Sequence, residues 1–378
     1  MEKIRRYDLD WLRVIVFALL IFYHVGMFFV PWDFHIKNNV IYGWLRYPML
    51  FLNQWRLPIL FVISGMGTAY ALSYRSAGQF IKERFVRLFI PLAFGMLFIV
   101  SPQVYVERLV NDQYAGSIGE WFFSGVFING IYPEGNLSWN HLWFLPYLLV
   151  FSLLLTPIFI RIRSNPEGSF ISWIKRRIES NPYFLFYFII PLFLYESLLE
   201  PFYNITHNLV WDWFNFISSL TLFFYGFLFI STRRIFWDAI QKIWKTCLVV
   251  GLIGFSGLMF IWLTLEDSIV VHFTEAFLKV TNIWAWILVI FSVASRRLNK
   301  PSKSLRYANQ AVYPFYILHQ TITICIAYFI YNLEWGLLPK FTILVVGTFR
   351  ISFLLYEFVI RRMKWTWILF GLKKSSTS

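Results

Sequence analysis

Charge is scarce in this chain: 14% of its 378 residues are Asp, Glu, Lys or Arg, whereas 58% are hydrophobic. A water-soluble protein of this length cannot cover so much apolar surface even with a large core, so lipid is the expected solvent for most of it. Acidic residues are scarcer still, 20 against 34 Lys and Arg. Cysteine is nearly absent, and Cys247 and Cys325 both lie inside apolar runs, which gives no sign of a disulfide framework. No HExxH or CxxC spacing occurs, so no metal site is expected. No hydrophilic stretch is long enough for a separate soluble domain, and there is no repeat, low-complexity tract or linker. The expectation is a single integral membrane domain over 1–378.

Apolar runs, by contrast, are abundant. Segments of roughly twenty residues, enough to cross about 30 Å of hydrocarbon, occur near 12–31, 47–74, 88–106, 142–160, 183–199, 213–231, 246–265, 276–295, 311–331 and 341–360. They predict an all-α, polytopic membrane bundle of about ten transmembrane helices. The first run follows a charged, acid-containing segment and precedes no small-residue cleavage site, so it reads as a retained helix. Aromatic residues reach 22%, and many Trp and Tyr sit near the ends of the runs, where an amphipathic ring suits the headgroup layer.

The formal charge of +14 would suit a nucleic-acid binder, but the basic residues cluster between the runs, with Arg56 and Arg350 falling within spans. Threading the ten runs alternately puts 27 of the 34 Lys and Arg on one side and five on the other. The positive-inside rule then predicts an N-in and C-in protein whose partner is the lipid bilayer, with no nucleic acid. The longest outer connection, 107–140, holds Trp121, Phe122, Phe123 and Trp139 and is expected on the membrane surface.

The first helix carries the most informative polar residues. At about 100° per residue, Arg13 and His24 differ by about 20° and Asp10 lies about 60° away, so all three share one face. Eleven residues separate Arg13 from His24 by roughly 16 Å along the axis. Ionisable groups at such depth are costly and usually functional. The alternative is that Asp10 and Arg13 anchor at the interface and His24 is a hydrogen-bonded packing residue.

Arg13 and His24 fall within LDWLRVIVFALLIFYH, an Arg followed by ten residues and a His. Further segments are RLPILFVISG at 56–65, which includes Ser64, ERFVRLFIP at 83–91, HLWFL at 141–145, YPFYILHQ at 313–320 and LFGLK at 369–373. Together these resemble the membrane acyltransferase-3 family from the first helix to the last. The resemblance implies an enzyme that takes an acyl group from cytoplasmic acyl-CoA to a hydroxyl, usually on an extracytoplasmic glycan, at the bacterial cytoplasmic membrane. It implies an essential role for His24 and an association of Arg13 with the donor. The FVISG and LFGLK segments are similar to a branch associated with succinylating periplasmic glucans. Acyl-CoA, as succinyl-CoA or acetyl-CoA, is then a donor substrate and no cofactor is bound permanently.

Chemistry is compatible with these roles. A neutral imidazole at His24 can accept a hydroxyl proton or carry the acyl group itself. The phosphates of CoA call for bidentate cations at its entrance, and Arg13, Arg84 and Arg87 lie at helix ends on the basic side. Arg84 and Arg87 are equally explained as positive-inside anchors. Arg56 lies roughly 28 Å from the inner boundary and His24 roughly 27 Å. Either Arg56 neutralises an acyl carboxylate or developing oxyanion, or it snorkels to an interface. His319, with Tyr313, Tyr316 and Gln320 nearby, forms a polar patch that orients the reacting groups, lines the acceptor path as a substrate contact through Tyr316, or simply packs. His141, beside Trp143, is expected in an interface belt. Arg350 and Glu357, seven apart, are expected to pair or to brace Arg13. The same buried arginines would also suit a transporter or channel for an anionic solute, although no inverted repeat or paired broken helices accompany them.

Overall fold

A computed structural model of the chain describes residues 5–372. Among the described residues the regular secondary structure is all helical, apart from an isolated bridge between Ile131 and Leu137. Among the described residues ten helices are long and apolar enough to cross a membrane: α1 Tyr7–Met27, α2 Gly43–Leu72, α3 Ala77–Val110, α4 Asn140–Ser164, α5 Pro182–Phe202, α6 Trp213–Ser231, α7 Arg234–Thr264, α8 Ile269–Arg297, α9 Lys303–Ile330 and α10 Leu337–Ile360. Each overlaps one of the expected runs, and the fold is an all-α membrane bundle.

Helix ends differ more than helix number. The α7 run expected at 246–265 begins at Arg234, because Asp238, Lys242 and Lys245 lower the hydropathy without breaking the helix. Hydropathy finds the membrane-embedded part of a helix, whereas backbone hydrogen bonding continues past it. The α3 helix is irregular: π-helical turns at Phe85–Phe89 and Gly95–Val100 flank Pro91. Proline lacks the N–H that the carbonyl four residues earlier would accept. That carbonyl belongs to Arg87, and it accepts the Tyr313 hydroxyl of α9 at 2.8 Å.

The chain divides into two compact units interleaved in sequence, with the divisions falling inside α1, α2, α3 and α4. The first comprises the residues up to Arg13, Phe51–Ile81 and Val150–Pro301. Its helices α2 and α6 meet backbone to backbone. A Cβ on Gly226 would lie 1.9 Å from the Val62 carbonyl oxygen, and one on Gly65 1.8 Å from that of Phe223. Small residues at such crossings let backbones approach in lipid, where no hydrophobic effect draws helices together. Aromatic rings fill the surrounding space: Phe159 stacks on Phe227 with centroids 3.8 Å apart, and the Trp284 indole donates to the Leu185 carbonyl at 2.7 Å.

The second unit comprises Val14–Leu50, Lys82–Leu149 and the residues from Ser302 on. Val25, Phe28, Phe29, Ile36, Ile324, Ala327 and Leu344 form its apolar core. Lys340, fully buried, is held by Asn38 Oδ1 at 2.7 Å, Asn39 Oδ1 at 2.9 Å and the Tyr331 carbonyl at 3.1 Å. In the 107–140 connection Trp121 does not rest on a surface. It is buried, its indole donating to Ser101 Oγ at 2.7 Å, whereas Phe123 is 91% exposed.

Candidate active site

The polar centre of the second unit is a pair of imidazoles on α1 and α9. His24 Nδ1 and His319 Nε2 are 2.7 Å apart, and the two ring planes are within 7° of parallel at a centroid separation of 5.0 Å. Nitrogens that close on rings that far apart require a hydrogen bond in the common plane, not a face-to-face stack. The other nitrogen of His319, Nδ1, lies 2.7 Å from the Tyr316 carbonyl. A carbonyl only accepts, so His319 Nδ1 carries a proton and, in the neutral ring, its Nε2 carries the lone pair. His24 must therefore donate from Nδ1, which places the basic lone pair of His24 on Nε2. One backbone oxygen thus sets the tautomers of both rings. His319 is fully buried and His24 half-buried, so the basic lone pair belongs to the more accessible ring.

His141 closes the group from α4. Its ring stands perpendicular to that of His319, with centroids 5.2 Å apart. His141 Nε2 donates to the Ile317 carbonyl at 3.0 Å, and Nδ1 accepts from Gln103 Nε2 at 3.2 Å. Both nitrogens are thereby occupied, which makes His141 a support for His319. The residue is buried, contrary to the interface belt expected for it. Its partner Gln103, on α3, is fully buried and saturated. Its amide donates to His141 and to Thr321 Oγ1 at 2.6 Å, and its oxygen accepts from Gln320 at 3.1 Å and Asn140 at 3.3 Å. Asn140 also donates to His35 Nε2 at 2.8 Å; His35 Nδ1 in turn bonds Glu107, which accepts the Tyr132 hydroxyl at 3.2 Å. Burial and the Glu107 carboxylate push the Tyr132 hydroxyl up to about 12, so it stays protonated as a donor. Every bond in this series is between groups that would be costly to leave alone in an apolar interior.

Of the residues expected from sequence, His24, His319 and Tyr316 meet here. Tyr316 acts through its carbonyl on His319 and through its hydroxyl, which donates to the His141 carbonyl at 2.7 Å. That engagement makes it a positioning group in this structure, where sequence suggested a substrate contact. Arg84 and Arg87 lie on α3 in the same unit. The Arg87 guanidinium reaches Gly371 O at 3.3 Å and Glu83 at 3.4 Å. Gly371 has a φ of +61°, and a Cβ there would lie 2.2 Å from Tyr313. Three of the quoted segments, around Arg87, Tyr313 and Gly371, therefore meet at one junction.

The remaining candidates belong to the first unit. Asp10 accepts from Arg13 at 3.1 Å and from Arg5 at 2.8 Å. Arg56 is 2% exposed on α2, about two helix turns before Ser64, whose carbonyl accepts the Thr68 hydroxyl at 2.9 Å. A guanidinium so enclosed is not snorkelling. The expected Arg350–Glu357 pair is not made: Glu357 accepts from Arg361 at 2.7 and 2.9 Å and from Tyr307 at 2.9 Å, and Arg350 is exposed. The π-helical turn Tyr356–Ile360 changes the register on which that pairing depended. Gln103, His141, His35, Glu107 and Asn140 were missed because their partners are far apart in sequence. Only the HLWFL segment signalled any of them.

A multi-pass helical membrane protein with an oriented imidazole pair at its polar centre has the features of an intramembrane enzyme. Residues 6–357 match the model of the acyltransferase domain, and the chain belongs to the acyltransferase-3 family. It is a membrane acyltransferase, and this membership decides against the transporter alternative. The chain is similar to the Glucans biosynthesis protein C of Escherichia coli K12 and that of Shigella dysenteriae serotype 1. Each is 25% identical over 370 residues, covering 94% of this chain and 92% of the relative. No solved structure matches the chain.

Proposed function

We propose that the protein transfers a succinyl or acetyl group from cytoplasmic acyl-CoA to a hydroxyl of an extracytoplasmic glycan across the bacterial cytoplasmic membrane. The His24–His319 hydrogen bond carries this reading, because it puts the basic lone pair on one atom, His24 Nε2. As general base, that nitrogen takes the hydroxyl proton while the alkoxide oxygen attacks the thioester carbonyl. The tetrahedral intermediate then breaks its C–S bond, and the CoA thiolate recovers the proton. As acyl carrier, the same nitrogen attacks the thioester carbonyl, the C–S bond breaks and CoA leaves as its thiolate. The hydroxyl then attacks the acyl carbon, the C–N bond to His24 breaks, and the hydroxyl proton ends on the thiolate. In the base route the Nδ1–H of the His24 imidazolium still donates to neutral His319, whose own proton rests on the Tyr316 carbonyl. The pair thus spreads a developing positive charge without a carboxylate.

Arg13, oriented by Asp10, together with Arg84 and Arg87, is assigned to the CoA phosphates. Arg56 is assigned to the acyl carboxylate or oxyanion, and Ser64, about two turns further along α2, to the substrate path. The basic connections favour N-in and C-in, which supports donor entry from the cytoplasm. The relatives' description as glucan biosynthesis proteins supports a glucan acceptor.

The test uses purified protein, labelled succinyl-CoA and acetyl-CoA, and a glucan oligosaccharide. CoA release with label on the saccharide is expected, and folded His24→Ala should transfer about 10³-fold more slowly. Single turnover without saccharide separates the two routes, since only the carrier leaves label on the protein. A wild-type protein that releases no CoA from either donor, or a folded His24→Ala with full rate, overturns the reading.

A further inference from the structure

Immediately after α1 the chain makes a turn held by a single ammonium. Lys37 Nζ donates to the carbonyls of Met27 at 2.5 Å, of Trp32 at 2.9 Å and of Val30. Met27 is the last residue of α1, so the cation satisfies a carbonyl at the negative end of the helix dipole as it folds the loop back. Burial pushes the Lys37 amine down to about 8, against the attraction of Asp33, which marks the arrangement as costly to maintain.

The turn brings Trp32 onto Tyr23, with ring centroids 6.3 Å apart and planes inclined by 29°. Tyr23 precedes His24, and their ring centroids are 6.0 Å apart at 65°. Trp32 is half-buried, and the next residue, Asp33, is exposed. A broad aromatic surface with a carboxylate beside it therefore lies one ring, that of Tyr23, away from His24. The apolar C–H face of a pyranose can lie on such a ring while its hydroxyls bond to a carboxylate.

We propose that Trp32, stacked on Tyr23 and held by the Lys37 turn, is the platform for the sugar ring whose hydroxyl is acylated, with Asp33 accepting from its other hydroxyls. This rests on the reading of the enzyme as a glycan acyltransferase with His24 at its centre. It adds an acceptor subsite made by the loop that follows the catalytic helix. A pyranose lying on Trp32 is held beside the base, so the platform orients one hydroxyl and excludes others. Lys37 is then a positioning residue that reaches the sugar only through Trp32.

The test is Trp32→Leu, which keeps apolar bulk and removes the π face, beside Trp32→Phe, which retains a smaller one. In acyl transfer to a glucose pentasaccharide, Trp32→Leu should raise the saccharide KM by about tenfold or more with a much smaller change in kcat. Trp32→Phe should recover most of that loss. Saturation-transfer NMR with the pentasaccharide and no donor gives a second readout. The wild type should saturate pyranose ring protons, and Trp32→Leu should not. An unchanged KM in Trp32→Leu overturns the platform, as does an unchanged NMR signal or its absence from the wild type. A Trp32→Leu protein whose only defect is lower stability in bilayers overturns it too, since the indole is then a membrane anchor. A wild type that binds the pentasaccharide through Trp32 but never acylates it supports the platform and removes the transfer reading.

Discussion

The two units bury polar groups in different ways. In the first, helices are brought together by shape: Gly65 and Gly226 let α2 and α6 touch, and aromatic rings fill the remaining volume. Buried charge there is settled locally, as in Lys279 between Glu196 at 3.3 Å and Glu275 at 2.9 Å. The Asn282 amide, fully buried, has no hydrogen-bond partner among the described residues. In the second unit, buried polar groups are joined across α1, α3, α4 and α9, and Gln103 alone makes four hydrogen bonds. Close packing suffices to hold helices in lipid, whereas a saturated polar network also sets tautomers and ring planes. Chemistry that depends on which nitrogen carries the lone pair belongs with the second kind of interior.

One substitution in each unit sharpens this contrast, and the larger effect on stability is expected in the first. Gly226→Ala puts a Cβ against the Val62 carbonyl, a backbone atom that cannot rotate away. It should cost about 3 kcal/mol, read as a lowered Tm in detergent, while the folded fraction keeps its saccharide KM. Gln103→Leu removes both donors and both acceptor sites of the hub at once. It should cost about 2 kcal/mol, less than the glycine change, and yet lower kcat more strongly because the His141 support of His319 loosens. If Gly226→Ala shifted the pH profile of transfer and Gln103→Leu left it alone, the division between shape and network would be wrong.

Much of the first unit was legible in sequence, because spanning a membrane imposes a hydropathy signal on every helix. The common face of Arg13 and His24 was legible for the same reason: the period of a helix is fixed. The partners of His24 were only partly so. His319 stood out as a polar residue in an apolar span, but His141 looked like an interface residue because its burial depends on Gln103, 38 residues earlier in the chain. Helix period misled at Arg350 and Glu357, where a π-helical turn breaks the register and Arg361 takes the carboxylate. Periodicity reports which residues share a face. It does not report which faces meet.

Lys37 gives the smallest and most specific test, because it contrasts with the ion-paired Lys279 of the first unit. Its three acceptors are carbonyls, which solvate the charge less well than carboxylates would, and burial lowers its proton affinity from 10.5 to about 8. Between these values the unfolded chain keeps a proton that the folded protein has released. The unfolded state then binds more protons, so stability contributed through Lys37 rises as pH increases from about 8 toward 10.5 and is lost as pH falls through 8. The neutral amine, however, has two hydrogens for three carbonyls, so the turn that seats Trp32 loosens over the same range. Melting curves of the wild type and Lys37→Met should converge or cross above pH 8, with the wild type gaining relative to the variant, while the wild-type saccharide KM rises in that interval. Parallel curves from pH 7 to 10 would mean that the ammonium is as well accommodated by carbonyls as a paired lysine is by carboxylates.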